Sequence, residues 1–166
     1  MTLILYPRLS MRALPHGPSI LALVTATVLA FGTVPARAAG ATPKEIVVEF
    51  FELAFVKRKP IEAAMKYISP TQYTQHNPNG EDGREAFIKG FAAFVEKSNY
   101  RCHIKRAIAE GPLVAVHNHC QENPADPADR GSAVVDIFRV EGGKIVQHWD
   151  VEQAVPATSK NRNTMF

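Results

Sequence analysis

An α+β fold is predicted by three observations. Apolar residues recur at helical spacing from Ile46 to Val95, alternation of period two takes over after Asn99, and turn residues separate the alternating runs. Three amino-terminal helices followed by about four to six antiparallel strands place the helices on one face of a curved sheet.

The first helix begins at Thr42-Pro43-Lys44-Glu45. Thr42 is a cap, Pro43 suits the first helical position and Glu45 completes a capping box. Ile46, Val47, Phe50, Leu53 and Ala54 then mark a buried face to about Lys57. Pro60 opens a second helix, which Ser69-Pro70 stops after Ile68. The loop TQHNPNGEDG (74–83) follows. Asp82-Gly83-Arg84-Glu85 predicts a third capped helix, with Phe87, Ile88, Phe91, Phe94 and Val95 on its apolar face. Strands are expected at about 102–108, 113–121, 132–140 and 144–151, with a surface loop, ENPADPADRG, between the second and third. The closing VPATSKNRNTMF reads as extended.

Residues 1–38 read as a cleaved signal peptide. Arg8 and Arg12 precede the apolar run ILALVTATVLA, which is too short to span a bilayer, and Ala36-Arg37-Ala38 forms the peptidase site. Met11 would also serve as a start. Arg8, Arg12 and Arg37 account for the whole formal charge of +3. The remaining domain, 39–166, is neutral and has no basic block, which excludes an electrostatic footprint for nucleic acid. The expected location is the periplasm or the exterior, with no membrane association after cleavage. Cys102 and Cys120 lie on neighbouring strands, where an oxidising compartment permits a bridge and the hairpin register decides whether it forms. Two cysteines without a ligand motif do not make a zinc site.

The last hairpin carries the most chemistry. A two-residue Gly142-Gly143 loop would set Asp136 opposite Trp149. A three-residue Glu141-Gly142-Gly143 loop with a G1 bulge, the preferred reading, sets Asp136 opposite His148. It places Asp136, Phe138, Val140, Val146, His148 and Asp150 on one face. Two carboxylates and an imidazole among Phe and Val are costly to bury unpaired, so they must bond to each other or line a wet cavity. His117 and His119 alternate on the second strand, and His76-Asn77 sits on a loop able to fold over the open end of the sheet. A carboxylate with His117 and His119 is conceivable as a metal site, but no tight ligand motif accompanies them. No metal or organic cofactor is expected.

The segments YTQHNPNGEDGREAFIKGF, IAEGPLVAVHNH, RGSAVVDIFRVEGGKIVQHWDV and NRNTMF resemble the SnoaL-like polyketide cyclase family, most closely its members predicted to catalyse aldol condensation. The resemblance spans about residues 44–166. It implies the nuclear transport factor 2-like fold, a cone of strongly bent sheet closed by helices around a pocket. It also implies that Asp150, in HWD, is the general base that takes a proton from carbon beside a carbonyl. Asp136 falls near the supporting polar position, where the cyclases carry histidine. On this reading His148 or His76 donates to the developing oxyanion. Asn77, His117, His119, Phe138 and Trp149 are the expected substrate contacts. The expected partners are a small carbonyl compound and a second copy of the chain, docked through the Trp149 face. The competing class is a non-catalytic small-molecule-binding or dimerisation module, for which the same fold is used.

Overall fold

The computed structural model describes residues 40–166, so the signal-peptide assignment lies outside the described residues. Helix α1 (Pro43–Phe51) begins with the expected capping box: the Glu45 N–H donates to Thr42 Oγ1 and Glu45 Oε2 accepts from the Thr42 N–H. It runs on as a π-helical turn over Glu52–Val56. Helix α2 (Pro60–Tyr67) starts at its proline as anticipated. Helix α3 (Arg84–Phe87), a π-helical turn over Ile88–Ala92 and helix α4 (Ala93–Lys97) follow one another without a break. The helical segments therefore form three rods. Asp82 does not cap the third: Gly83 holds the cap position at φ +96°, and Asp82 Oδ1 accepts the Gln75 N–H at 2.7 Å instead. Among the described residues no helix is long and apolar enough to cross a membrane.

Five strands form one curved sheet in the order β1-β5-β4-β3-β2: β1 (Thr74–Gln75), β2 (Arg101–Glu110), β3 (Leu113–Gln121), β4 (Ser132–Glu141) and β5 (Lys144–Ala154). The pairs are antiparallel except β1–β5, which is parallel and sets Gln75 beside His148. From the sequence β1 reads as part of the loop 74–83, because two residues carry no period. Register irregularities in β2 between Ile104 and Arg106, and in the last hairpin, interrupt the ladders where added twist bends a sheet.

The last hairpin departs from both expected registers. Gly142 and Gly143, at φ +55° and +77°, make a two-residue turn that closes at Glu141↔Lys144. The ladder then pairs Val140 with Ile145 and Arg139 with Gln147, leaving Val146 as an extra residue. Asp136 consequently faces Asp150, neither His148 nor Trp149. The bulge lets Ile145 and Val146 bury together. It also returns His148 and Asp150 to the Asp136 side, so the expected face survives although the register does not.

The core lies between the helices and the inner face of the sheet. Phe50 and Phe51 set their rings against Phe138 at 6.1 and 5.8 Å. Val114, Val116 and Ile145 are fully buried beneath them. Cys102 and Cys120 are directly paired across β2–β3 and joined by a disulfide. The packing leaves a space between the helices and the inner face of the sheet, and that space is the site.

Candidate functional site

A cavity of about 650 Å³ opens between the helical rods and the inner face of β4 and β5. Its polar end is built from Asp136, His148 and Asp150, with Gln75 and Asn77 from β1 and the residues after it. Short parallel pairing to β5 explains their arrival: Gln75 is aligned with His148, and the His76 N–H donates to the His148 carbonyl at 2.9 Å.

The protons in this cluster follow from the bonds. The Asn77 backbone N–H donates to Gln75 Oε1 at 3.0 Å, which fixes that atom as the amide oxygen. His148 Nδ1 lies 2.9 Å from the same oxygen and must therefore donate to it. The other ring nitrogen, Nε2, stands 2.9 Å from Asp136 Oδ1. One proton bridges these two atoms, since two lone pairs do not meet at that distance unaided. Asn118 Nδ2 donates to Asp136 Oδ2. The Asp136 and His148 side chains are only 14 % and 12 % exposed. Burial pushes the Asp136 carboxyl above the ordinary carboxylate range, and the bond to His148 works against that rise.

Asp150 is bonded differently. Asn77 Nδ2 lies 2.8 and 2.9 Å from its two oxygens, and among the described residues no cation pairs with it. Arg139, the cation that would lock Asp150 if it were merely structural, bonds to Gln147 and Glu141 on the outer face. Asp136, His148 and Asp150 each bring one ligand atom within 4.8 Å of the others, so among the described residues this is the group whose spacing suits a metal ion.

The rest of the wall is aromatic. Phe50, Phe87 and Phe91 come from the helices, Phe138 stacks on the His148 ring at 4.8 Å, and Tyr73 and Tyr100 complete it. Burial, with Asp136 nearby, pushes both tyrosine hydroxyls up and keeps them protonated at neutral pH. The Tyr73 hydroxyl accepts from Gln75 Nε2 at 3.4 Å and donates to no group among the described residues. It is a hydrogen-bond donor in reserve.

Of the residues singled out from sequence, Asp150, His148, Asp136, Asn77 and Phe138 line the cavity. The other four do not. His117 and His119 point to the outer face of β3, where their rings lie 5.7 and 4.4 Å from Phe166. His76 stacks on Trp149 at 4.3 Å, and Trp149 stands opposite Ile137 with its side chain away from the cavity. The reason is strand parity: Val114, Val116, Asn118 and Cys120 share the buried face of β3, so the odd-numbered histidines face out. His148 lines the cavity but is bonded on both sides of its ring. It therefore orients Asp136 and has no donor left for a ligand. Gln75, Asn118, Tyr73 and Tyr100 were missed. The alternation that buries Val114 and Val116 was the available signal for Asn118; Gln75 had none.

A bent sheet closed by helices over a cavity is the nuclear transport factor 2-like architecture. Within it the sequence matches the SnoaL-like domain over residues 47–148, and the chain belongs to that family. Among solved structures, a nuclear transport factor 2-like protein of unknown function from Cytophaga hutchinsonii is 18 % identical with a TM-score of 0.53, covering 70 % of this chain and 95 % of that one. A predicted SnoaL-like polyketide cyclase from Jannaschia sp. CCS1 is 15 % identical with a TM-score of 0.54, covering 69 % and 90 %. TsrD from Streptomyces laurentii is 19 % identical with a TM-score of 0.55, again covering 69 % and 90 %. Likeness at this level speaks for the fold alone. No curated protein matches the sequence.

Proposed function

We propose that this is an exported SnoaL-like enzyme that removes a proton from carbon beside the carbonyl of a small compound, as the first step of aldol-type or isomerisation chemistry. The observation that carries this reading is Asp150, a carboxylate held in an aromatic cavity by a neutral amide alone. Asp150 accepts the proton from the α carbon. The C–H electron pair moves into the carbon–carbon bond of an enolate, and the carbonyl oxygen becomes the oxyanion. Tyr73, protonated and with its O–H uncommitted, donates to that oxygen. Asp136 and His148, bridged by one proton and braced by Asn118 and Gln75, hold the neighbouring wall rigid. The acid formed at Asp150 returns its proton to carbon in isomerisation, or to the new alkoxide after addition to a second carbonyl. The chemistry as drawn needs no organic cofactor.

The neighbour named as a polyketide cyclase shares the fold that this reading uses. Export is supported by the buried Cys102–Cys120 bridge, of a kind that persists in oxidising compartments. The exposed Ile137 and Val151, beside Trp149 on the outer face, support pairing of two copies there. Proton abstraction is tested by NMR of α-deuterium exchange into a panel of small ketones and aldehydes in heavy water. Asp150→Asn is expected to slow the exchange about 10²–10⁴-fold. Undiminished exchange in that variant would remove Asp150 as the base and leave the cavity as a binding site.

A further inference from the structure

The charge of the cavity is not balanced by its own walls. Asp136 and His148 share a proton and are neutral as a unit. Asp150 has only the Asn77 amide. Two residues further along the same face of β5, Glu152 lines the cavity at its exposed end, and Glu81 adds a carboxylate from the loop after β1. Neither glutamate enters an ion pair among the described residues. Against these, Lys89 is the one lysine or arginine in the wall, and it is solvent-exposed.

Across from the carboxylates, the helices present Phe50, Phe87 and Phe91, joined by Tyr73 and Tyr100. Aromatic faces carry negative quadrupole potential, and a low-dielectric cleft focuses the field of carboxylates on its rim. An anion would meet repulsion from the carboxylates, against which the Tyr73 hydroxyl offers a single donor. A neutral apolar ligand would take water from Asp150 and supply nothing in return. A compact organic cation satisfies both walls at once.

We propose that the cavity selects a small organic cation, a carbonyl compound bearing a protonated or quaternary amine, with the ammonium held between Glu152 and the aromatic wall. The carbonyl half of this statement rests on the proton-abstraction reading; the cation half does not. An ammonium beside the carbonyl also withdraws electron density, which stabilises the enolate that Asp150 would form.

The test is an NMR titration of the purified protein with three compounds of one shape: choline, its neutral isostere 3,3-dimethylbutan-1-ol, and the anion 3,3-dimethylbutanoate. Choline is expected to bind about tenfold more tightly than the alcohol. The anion should bind weakest, and added salt should erode the preference. Glu152→Gln, a change at an exposed position, should reduce the preference while the spectrum of the folded protein persists. Equal or tighter binding of the alcohol or the anion, or no binding of choline at all, overturns the inference. The two readings fail separately. A cation preference without α-exchange on any carbonyl removes the enzyme and keeps the cation site; α-exchange on neutral ketones with no cation preference does the reverse.

Discussion

His148, on the inner face of β5, has both ring nitrogens bonded, one to Asp136 and one to Gln75. His119, on the outer face of β3, packs its ring on Phe166 and bonds one nitrogen to the Arg130 carbonyl. Both stand on interior strands of one sheet. The inner histidine has a fixed tautomer, little solvent and a shared proton; the outer one has an aromatic contact and one backbone partner. What separates them is parity along the strand, and parity is decided by which side the helices cover. A histidine's type alone therefore says nothing about its chemistry here. Its neighbours two residues away, apolar or not, say more.

The contrast can be broken from either side. Among inner-face changes, Asp150→Asn has the largest expected effect, on α-proton exchange. Next is the Cys102→Ser/Cys120→Ser double variant. It opens a loop whose ends are 18 residues apart and should cost about 3 kcal/mol in urea denaturation. Asn118→Ala follows. Asn118 is fully buried and donates to Asp136, so its truncation leaves a carboxylate oxygen unpaired, at about 1–3 kcal/mol by the same measurement.

The pH dependence of stability sharpens the comparison further. Burial raises the Asp136 carboxyl in the folded chain, so the native state keeps this proton after the unfolded chain, at about 3.9, has lost it. The native state binds more protons across that window. The contribution of Asp136 to stability is therefore complete below about pH 4 and declines as pH rises through its folded value. Asp136→Asn should flatten this decline in denaturation curves taken from pH 4 to 7. The smallest effect is expected outside: His117→Ala and His119→Ala should change stability by within about 0.5 kcal/mol and leave α-exchange unchanged. A large loss from either outer variant would dissolve the distinction between the faces.

Much of the fold was legible because its signals are local. The Thr42–Glu45 capping box, the Pro60 start and the alternation of β3 are each written within a few residues. Asp136, His148 and Asp150 were placed on one face by a period of two. Their register was not readable. The same Gly-Gly pair permits several loop lengths, and the bulge at Val146 is chosen by how well Ile145 and Val146 bury together. The inward face of β3 follows a related rule: His117 and His119 are the chemically rich residues, but Val114 and Val116 mark the covered side. Asp82 read as a helix cap, but its carboxylate was needed to hold the backbone of Gln75.

By itself, the sequence determined the helix-then-strand order, the family and the carboxylate that faces inward, because capping, periodicity and parity act over spans of two to four residues. The tertiary structure alone brought Asn77 onto Asp150, Asn118 onto Asp136 and Gln75 onto His148. These amides come from separate parts of the chain, and they meet only when β1 pairs with β5 and β3 with β4. It also decided that the bridge between Cys102 and Cys120 forms and that four acidic side chains gather around one aromatic cavity. Spacing along a chain cannot report such convergence, because it depends on distances that exist only after the sheet has closed.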